Sequence, residues 1–465
     1  MLLAAAVFAI VTQDQAALRA SPLATAPKNA VLWQGDALEV RGGRAGYLQV
    51  WDYRRERGGY VLEGQVRPYA LAAMSAPGLL EIVRLLRDMP GLEALGIGHA
   101  ALYLKVAPAA EIGAEVFDAI GTMADRLSRR ASVRSSVPDA GTLAGHLDVA
   151  QGYGIRFTTL EQDGRTRVCY DGEGFRHALR LRPSPEAHAR AVLGLTRPEC
   201  DSGSTTERRD LHEGAAERLE EVPMDALPLL LRHRVRLRRV AVWSRLAFDR
   251  ARAGRRVEAQ TAAARCLSEL ALVARADLAE SDGDIYTAAA LRAAVVRPAI
   301  DVGAASPARL ALRQTPKPSG ETCLAVVEAK EGAAPFIERC TFGVVWPASV
   351  RVSPDGRALA VAVQPLDDWR ELWVFHKEPS GWITDVVAPA GEPGLGYIEW
   401  AGWTPDSRRL LVARETRIGG RFTRSFEILR LDTMAVERKA GRPGDLTPFH
   451  RWQSPDWKSQ TLALR

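Results

Sequence analysis

The sequence predicts a multidomain α+β protein in which strands and helices occupy separate regions of the chain. Residues 14–70 hold short alternating apolar runs separated by glycines, a pattern typical of small antiparallel sheets. Residues 71–302 change to the 3.6-residue apolar period of helices, and residues 303–465 return to strands in units that recur. Because domains commonly hold roughly 100 to 200 residues, 465 residues leave room for about three of them.

The first 13 residues are similar to a secretory signal. Ten uninterrupted apolar residues run from Leu2 to Val11, too few for a helix to cross a bilayer core of about 30 Å but suited to the apolar part of a signal. No Lys or Arg precedes them, so we interpret the first Met as lying downstream of the true start. Cleavage is expected after Ala9 or near Gln13. The alternative is a buried first strand or helix.

Five cysteines, none in a CxxC pair, predict two disulfide bonds and one free thiol in an exported chain. Cys323 and Cys340 flank two predicted strands joined by a loop, so a bond across a sheet is expected. Cys169 and Cys200 enclose two short helical patterns and are expected to pair as well. Cys266 lies on an apolar helical face and is expected to be free. Without export, all five are expected to be reduced and buried.

The net charge of +6 does not by itself indicate a nucleic-acid partner. The basic residues are 55 Arg and 7 Lys, and such a bias beside abundant Ala and Gly also arises from a GC-rich genome. The strongest basic segment, Arg232–Arg256, holds ten Arg and one Asp, with Arg232, Arg236 and Arg239 on one helical face. Binding of an anionic partner such as nucleic acid is the weaker interpretation. We favour a solvated face opposite acidic residues of the run 217–221.

The strands of residues 14–70 resemble those of bacterial SH3 domains. The matching features are Leu18-Arg19, Gly35-Asp36 before the strand 38–40, Gly46 to Val50 and Gly59-Tyr60-Val61. The resemblance implies a small β-barrel that binds cell-wall peptides or proline-rich protein segments, or that tethers a larger protein. Aromatic rings beside Arg hold an extended peptide by stacking and charge, although several of these rings must also fill the small core. The binding candidates are Trp33, Tyr47, Trp51, Tyr53, Arg54, Arg55, Arg57 and Tyr60.

The central region, residues 71–302, is predicted to form helical hairpins separated by Pro and Gly. One hairpin resembles a tetratricopeptide repeat, because Trp243 and Leu246 match its W-x-x-L opening and Ala259 its small residue. Ala247 and Ala263 depart from the repeat, so a generic helical hairpin is the alternative. Residues 201–221 are largely polar and charged, which predicts a mobile loop or a poorly packed helix and hence a flexible insertion.

A proline-aspartate turn followed by an apolar run recurs three times near the end of the chain, at intervals of 51 and 50 residues. Proline sets φ near −65°, Asp bonds neighbouring amides, and Gly accepts positive φ, so each turn is expected to reverse a strand. The repeat resembles a blade of TolB-type, WD-like propellers. Residues 303–465 hold only about three blades, which implies an incomplete, open propeller. The turn residues are Pro354, Asp355, Gly356, Pro405, Asp406, Pro455 and Asp456.

The sequence lacks the common catalytic motifs HExxH, GxSxG, SxxK and the phosphate-binding glycine loop, and its eight histidines have no metal-ligand spacing. We therefore predict a non-catalytic, exported binding or scaffold protein of the bacterial envelope, without a cofactor, a transmembrane segment or a nucleic-acid partner. Its expected partner is an envelope protein or a cell-wall peptide. The rival hypothesis is a hydrolase that assembles residues such as His146, Asp148 and Glu173.

Overall fold

The computed structural model describes residues 7–133, 137–162, 165–201, 205–301 and 309–459. It confirms a mixed α+β chain with an N-terminal antiparallel sheet, central helices and C-terminal sheets. Two compact units divide the chain. Unit 1 comprises residues 1–204 and 218–228, and unit 2 comprises residues 205–217 and 229–465. The helical region predicted over 71–302 thus contributes to both units.

Unit 1 begins with a seven-stranded sheet in the order β3-β2-β6-β5-β4-β1-β7. Its pairs are antiparallel, and the path ends at β3 and β7, so it does not close over the described residues. One face buries a core of aliphatic side chains that includes Leu18, Leu38 and Val50. The strands are β1 (Val7–Val11), β2 (Ala16–Arg19), β3 (Lys28–Leu32), β4 (Ala37–Arg44), β5 (Tyr47–Asp52), β6 (Arg57–Leu62) and β7 (Val66–Ala70).

Strand β1 lies inside the apolar segment expected to be a signal peptide, and residues 7–11 have the arrangement of the alternative, a buried first strand. Ala9 and Val11 enter the sheet core, whereas Ile10 enters the core formed with the helices. A strand buried on both faces is apolar at every position, which is why it imitates a signal sequence. Cleavage after Ala9 would remove the first three residues of this strand, and cleavage near Gln13 would remove the whole strand from between β4 and β7. Residues 1–6 lie outside the described part.

Helices cover the other side of β1 and form the second core of unit 1. The hairpin β8–β9 was not predicted, whereas the helices fall within residues 71–302, where the apolar period predicted helical hairpins. Cys169, on β9, bonds Cys200, which confirms the first expected disulfide. The elements are α1 (Ala76–Arg87), α2 (Glu93–Val106), α3 (Ala114–Ala131), α4 (Val137–Gly152), β8 (Phe157–Gln162), β9 (Arg165–Tyr170), α5 (Glu173–Arg180) and α6 (Pro185–Leu195).

The helices after residue 204 are α7 (Thr205–Glu220), α8 (Leu229–Arg252), α9 (Arg256–Ala271) and α10 (Gly283–Val296). Helix α7 agrees with the second alternative for residues 201–221, a helix, rather than with the mobile loop. Its polar side chains are fixed by partners on α8, because His212 bonds Asp249 at 2.8 Å and Arg250 donates to Glu213 at 2.8 Å. Residues 202–204 lie outside the described part. Cys266, on α9, is buried and free, as expected.

The strands of unit 2 form one three-stranded sheet, β10-β11-β12, and one eight-stranded sheet. The larger sheet consists of two four-stranded antiparallel meanders, β13–β16 and β17–β20, joined by a short parallel pairing of β15 with β17. The disulfide Cys323–Cys340 links β11 to β12, which confirms the second expected bond. Within the described residues, no helix is long and apolar enough to span a membrane.

The bounds of these strands are β10 (Leu310–Pro316), β11 (Thr322–Glu328), β12 (Pro335–Thr341), β13 (Val344–Val352), β14 (Ala358–Leu366), β15 (Trp369–Glu378), β16 (Gly381–Val387), β17 (Leu395–Trp403), β18 (Arg409–Ile418), β19 (Arg421–Arg430) and β20 (Val436–Ala440). Two short helices follow, α11 (Thr447–Trp452) and α12 (Pro455–Ser459).

The first two predicted turns join equivalent strands of the two meanders, β13 to β14 and β17 to β18. In both, the aspartate accepts a bond from the amide two residues later, at 3.0 Å for Asp355 and for Asp406. The third turn was predicted wrongly. Pro455 begins helix α12, a position where its fixed φ and missing N–H suit a helix, and Trp457 packs on Phe449 with ring centroids 5.6 Å apart. The strand expected at 461–465 lies outside the described residues.

Candidate functional site

Four of the predicted binding residues lie together on the outer face of the unit 1 sheet. Side chains alternate along β5, so Leu48 and Val50 face the core while Tyr47 and Trp51 face outward. Tyr60 on β6 pairs with Gln49 of β5 and shares that face. Tyr53, which follows β5, is 57% exposed. We call this surface the outer aromatic face. Its four members are Tyr47, Trp51, Tyr53 and Tyr60.

An arginine that the sequence did not single out completes this face. The guanidinium of Arg41 lies 4.7 Å from the ring centroid of Trp51, and its Nε donates to Glu39 at 2.8 Å. The Tyr53 hydroxyl donates to the same carboxylate at 3.1 Å. The bond from Arg41 holds the pKa of Glu39 below its ordinary value. Residues two apart on a strand share a face, so Arg41 lies on the same face as Glu39. This spacing could have identified Arg41 from the sequence.

A glycine allows the indole of Trp51 to lie flat on the sheet. Gly58 is its partner across β5 and β6, and a Cβ atom at Gly58 would lie 3.1 Å from the ring. That spacing is tighter than ordinary contact between carbon atoms. The indole therefore has one face against the strand and presents its other face to Arg41.

Trp33, Arg54 and Arg55 lie away from this face, in contacts that stabilise the fold. Trp33 packs on Gly145 of α4, where an added Cβ would come within 2.4 Å of the ring. Arg54 donates to Asp36 at 2.8 Å, and Arg55 donates to the other oxygen of Asp36 at 3.0 Å. Asp36 is only 4% exposed, and a buried carboxylate needs such partners.

Arg54 and Arg55 also bind other carboxylates, namely Asp148 at 2.7 Å and Asp52 at 2.7 Å. Arg57 donates from Nη1 to the carbonyl oxygen of Asn29 at 2.8 Å. The sequence placed all three arginines beside the aromatics in one short segment. The turn after β5 instead directs Arg54 and Arg55 towards acidic residues, leaving the aromatics with Arg41.

The residues named for a hydrolase do not form one site. His146 Nε2 bonds Asp14 at 2.7 Å, but the imidazole is 1% exposed, and a general base needs access to its substrate. Asp148 pairs with Arg54, and Glu173 pairs with Arg176 at 3.0 Å on α5. The His146–Asp14 pair instead holds the turn after β1 against α4.

Asp14 keeps its negative charge in this pair. Burial raises the pKa of its carboxyl, but the hydrogen bond and charge of His146, together with bonds from Gln34, outweigh burial and lower the pKa overall. His146 Nδ1 is buried without a partner among the described residues.

The basic helix face of Arg232–Arg256 is largely neutralised within unit 2. Arg236 and Arg239 both donate to Glu269 on α9, at 3.0 and 2.9 Å. Arg234 donates to Asp282 at 2.8 Å. These partners come from later in the chain than the acidic run 217–221 that the sequence suggested.

Comparison with known proteins gave no match: no family model, no curated protein and no solved structure is significantly similar to this chain.

Proposed function

We propose that this chain is a non-catalytic binding protein of the bacterial envelope and that the outer aromatic face holds an extended peptide of an envelope protein or of the cell wall. One observation carries the proposal. Three strands and a turn bring Tyr47, Trp51, Tyr53 and Tyr60 to one surface, with Arg41 stacked on Trp51.

The chemistry of this face suits a peptide that lies across it. Aromatic rings supply contact area with little loss of rotamer entropy, and phenol hydroxyls bond the peptide backbone. Strands β5 and β6 both have neighbours on each side, so a ligand contacts their side chains and does not extend the sheet edge. Glu39 and Arg41 offer an acceptor and a donor at one end of the face.

Two further observations support the envelope location and the binding class. Both disulfides need an oxidising compartment to form and persist, which favours the periplasm or the extracellular space. The SH3-like strand pattern in unit 1 and the two four-stranded meanders in unit 2, which we interpret as propeller-like blades, belong to architectures that commonly bind peptides and proteins.

The test is retention of the purified full chain on peptidoglycan fragments and on envelope-protein extracts. We expect the wild type to be retained and the double variant Trp51→Ala/Tyr53→Ala to lose most retention, because both rings lie on the face. Phe342→Ala is the matched control, since Phe342 is 59% exposed but lies in unit 2. Equal retention of the wild type and the double variant contradicts the proposed surface. A cytosolic, fully reduced native protein contradicts the proposed location.

A further inference from the structure

A small cavity in unit 2 is lined by more cationic than anionic side chains. Its volume of about 30 Å³ holds one or two waters or a single small polar group. The walls come from the segment after α10 and from strands β13, β14, β15 and β17, with α12 at one side. The charged lining residues are Arg297, Arg351, Arg370, Asp301 and Glu399.

Glu399 serves two of these arginines at once. Its Oε2 accepts from Arg297 at 2.8 Å and from Arg370 at 3.2 Å, and its Oε1 accepts from the indole of Trp457 at 2.8 Å. Arg370 is fully buried and also donates to the carbonyl of Ala294 at 2.7 Å. One carboxylate oxygen thus accepts from two guanidiniums.

Arg351 has no carboxylate within 4.0 Å among the described residues. It is 9% exposed, and its Nη1 donates to two carbonyl oxygens of its own segment, those of Ala348 at 2.8 Å and Val350 at 2.9 Å. Burial lowers the pKa of Arg351, although the charges of Asp301 and Asp456 oppose the shift. The group therefore lies in the cavity wall as a desolvated, incompletely balanced cation.

Two other residues of the cavity wall, Arg370 and Trp400, carry donors that lack acceptors among the described residues. The indole Nε1 of Trp400 and the Nε of Arg370 are both buried without a hydrogen-bond partner. The ring of Trp400 lies 5.5 Å from the guanidinium of Arg351. A buried donor without an acceptor is costly, so a ligand rich in acceptors stabilises this arrangement.

The charges of the lining indicate the kind of ligand. Arg297 and Arg370 share the carboxylate of Glu399, whereas no carboxylate of the described residues lies within 4.0 Å of Arg351. Burial raises the pKa of Asp301 despite the nearby arginines, so protonation of this group weakens the opposing charge at Arg351 further. A monoanion supplies a counter-charge for Arg351. The planar, two-oxygen carboxylate matches the fork of an arginine and fits the volume, whereas inorganic phosphate is bulkier and partly dianionic at neutral pH.

We propose that this cavity binds the carboxylate group of a small organic acid or of a peptide C-terminus, with Arg351 as its principal contact and the Trp400 indole as a second donor. This site is separate from the outer aromatic face and does not depend on the function proposed for it.

Calorimetric titration of the full chain separates the two sources of the carboxylate. The ligands are sodium acetate, trialanine with a free C-terminus, trialanine amide and inorganic phosphate. Acetate binding as tightly as trialanine assigns a small acid, and tighter binding of trialanine than of both acetate and the amide assigns a peptide terminus. Binding of phosphate alone, equal binding of trialanine and its amide without acetate binding, or no binding at all overturns the proposal.

Variants test the role of Arg351. Arg351→Gln is expected to weaken acetate binding at least about tenfold, because a hydrogen bond to a charged group is lost. Arg339→Gln is the matched control, since Arg339 also stacks on an indole, that of Trp373 at 4.8 Å, but is exposed and outside the cavity. Equal affinities of wild type and Arg351→Gln overturn the assignment.

A measurement on the wild type keeps the test valid if Arg351→Gln does not fold. In protein labelled with ¹⁵N-tryptophan, the indole N–H signal of Trp400, identified by its loss in Trp400→Phe, is expected to shift downfield as acetate is added. The signal of Trp373 is expected to stay in place. Absence of any shift at Trp400 overturns the proposal.

Discussion

The contact between Trp33 and Gly145 shows how one missing side chain decides the placement of an aromatic ring. A Cβ at Gly145 would overlap the indole, whereas Gly141 on the same helix has open space around it. We expect Gly145→Ala to lower the free energy of unfolding by about 1–3 kcal/mol, the usual cost of overpacking. The midpoint of urea unfolding measures the change.

Gly141→Ala is the matched control for this prediction. Because Ala is the better helix former and nothing obstructs its methyl group, this variant is expected to be as stable as the wild type or more stable by up to about 1 kcal/mol. Equal midpoints for the two variants contradict the inferred contact between the helix and Trp33.

Glu93 is fully buried at the start of α2 and makes unit 1 sensitive to acid. Burial raises the pKa of its carboxyl, but bonds from Arg126 at 2.6 Å, from the Gly91 amide and from Arg130 outweigh burial and lower the pKa below 4.5. A carboxyl with a lowered folded pKa contributes stability above its unfolded pKa and loses that stability as the pH falls through the folded pKa.

We expect Glu93→Gln to cost about 2–3 kcal/mol of unfolding free energy at pH 7, because two arginines lose their carboxylate. The difference from the wild type is expected to shrink as the pH falls below 4.5. Urea unfolding at several pH values measures it. Glu115→Gln is the control, since its ion pair with Arg84 is exposed and is expected to change stability by less than about 1 kcal/mol. A cost independent of pH contradicts the role of the charge.

For single residues, the sequence suggested a set of candidate binding residues but did not show which of them lie on the same face of the sheet. Tyr47, Trp51 and Tyr60 share a face because of strand alternation, which is visible in the sequence once the strand register is known. Trp33 and Arg54 differ from them only through partners distant in sequence, Gly145 and Asp148. A single sequence carries no signal for such long-range contacts. The cavity in unit 2 was missed for the same reason.

The turn between β4 and β5 contains an alanine, Ala45, at a position that favours asparagine. Arg44 pairs with Tyr47, so the loop has two residues, Ala45 at φ 54° and Gly46 at φ 77°. Positive φ at both positions is typical of a type I′ turn, for which Asn-Gly is the favoured sequence. We expect Ala45→Asn to raise the free energy of unfolding by about 0.5–1 kcal/mol, because alanine is strained in this conformation.

Gly46→Ala tests the same turn in the opposite direction. It places a side chain at positive φ in open space, so strain is its main effect, and a loss of about 1 kcal/mol is expected. Thermal unfolding of both variants beside the wild type measures the pair. A stabilising Gly46→Ala or a destabilising Ala45→Asn contradicts the turn geometry.

Helices and strands with one buried and one exposed face were predictable from the sequence. The wrong predictions concern elements that lack this division into a buried and an exposed face. Strand β1 is apolar throughout because both faces are covered, so its pattern matched a signal peptide. Helix α7 buries few apolar side chains, Leu219 among them, and ion pairs such as Arg250 with Glu213 fix its polar residues. The proline-aspartate motif reverses a strand in its first two copies, at Pro354 and Pro405. In the third copy, at Pro455, it begins a helix, and Trp457 packs against Phe426 and Phe449.

Each of the two units contains one disulfide bond. Cys169–Cys200 closes a segment with a sequence separation of 31 residues in unit 1, and Cys323–Cys340 closes one of 17 residues in unit 2. The bond Cys323–Cys340 was predictable from two strands joined by a loop, and the bond Cys169–Cys200 from the two helical patterns that these cysteines enclose. The division into units was not, because α1–α6 and α8–α10 have the same apolar period although they belong to different cores.

Each disulfide is expected to stabilise its own unit by about 3 kcal/mol, since it limits the unfolded chain. The variant Cys169→Ser/Cys200→Ser is therefore expected to lower the melting temperature of unit 1 by about 6–12 °C and to leave unit 2 unchanged, and Cys323→Ser/Cys340→Ser is expected to do the reverse. Hydrogen exchange read by mass spectrometry along a temperature series assigns each transition to its unit.

A reductant supplies the control for both variants. It is expected to lower both transitions of the wild type and to have no effect on the variant that lacks all four bonded cysteines, because Cys266 is free in every form. If a single disulfide variant lowers both transitions equally, the two units unfold together and their stabilities are coupled. If reductant changes neither transition of the wild type, the bonds do not form in the native protein, and the argument for an oxidising compartment fails with them.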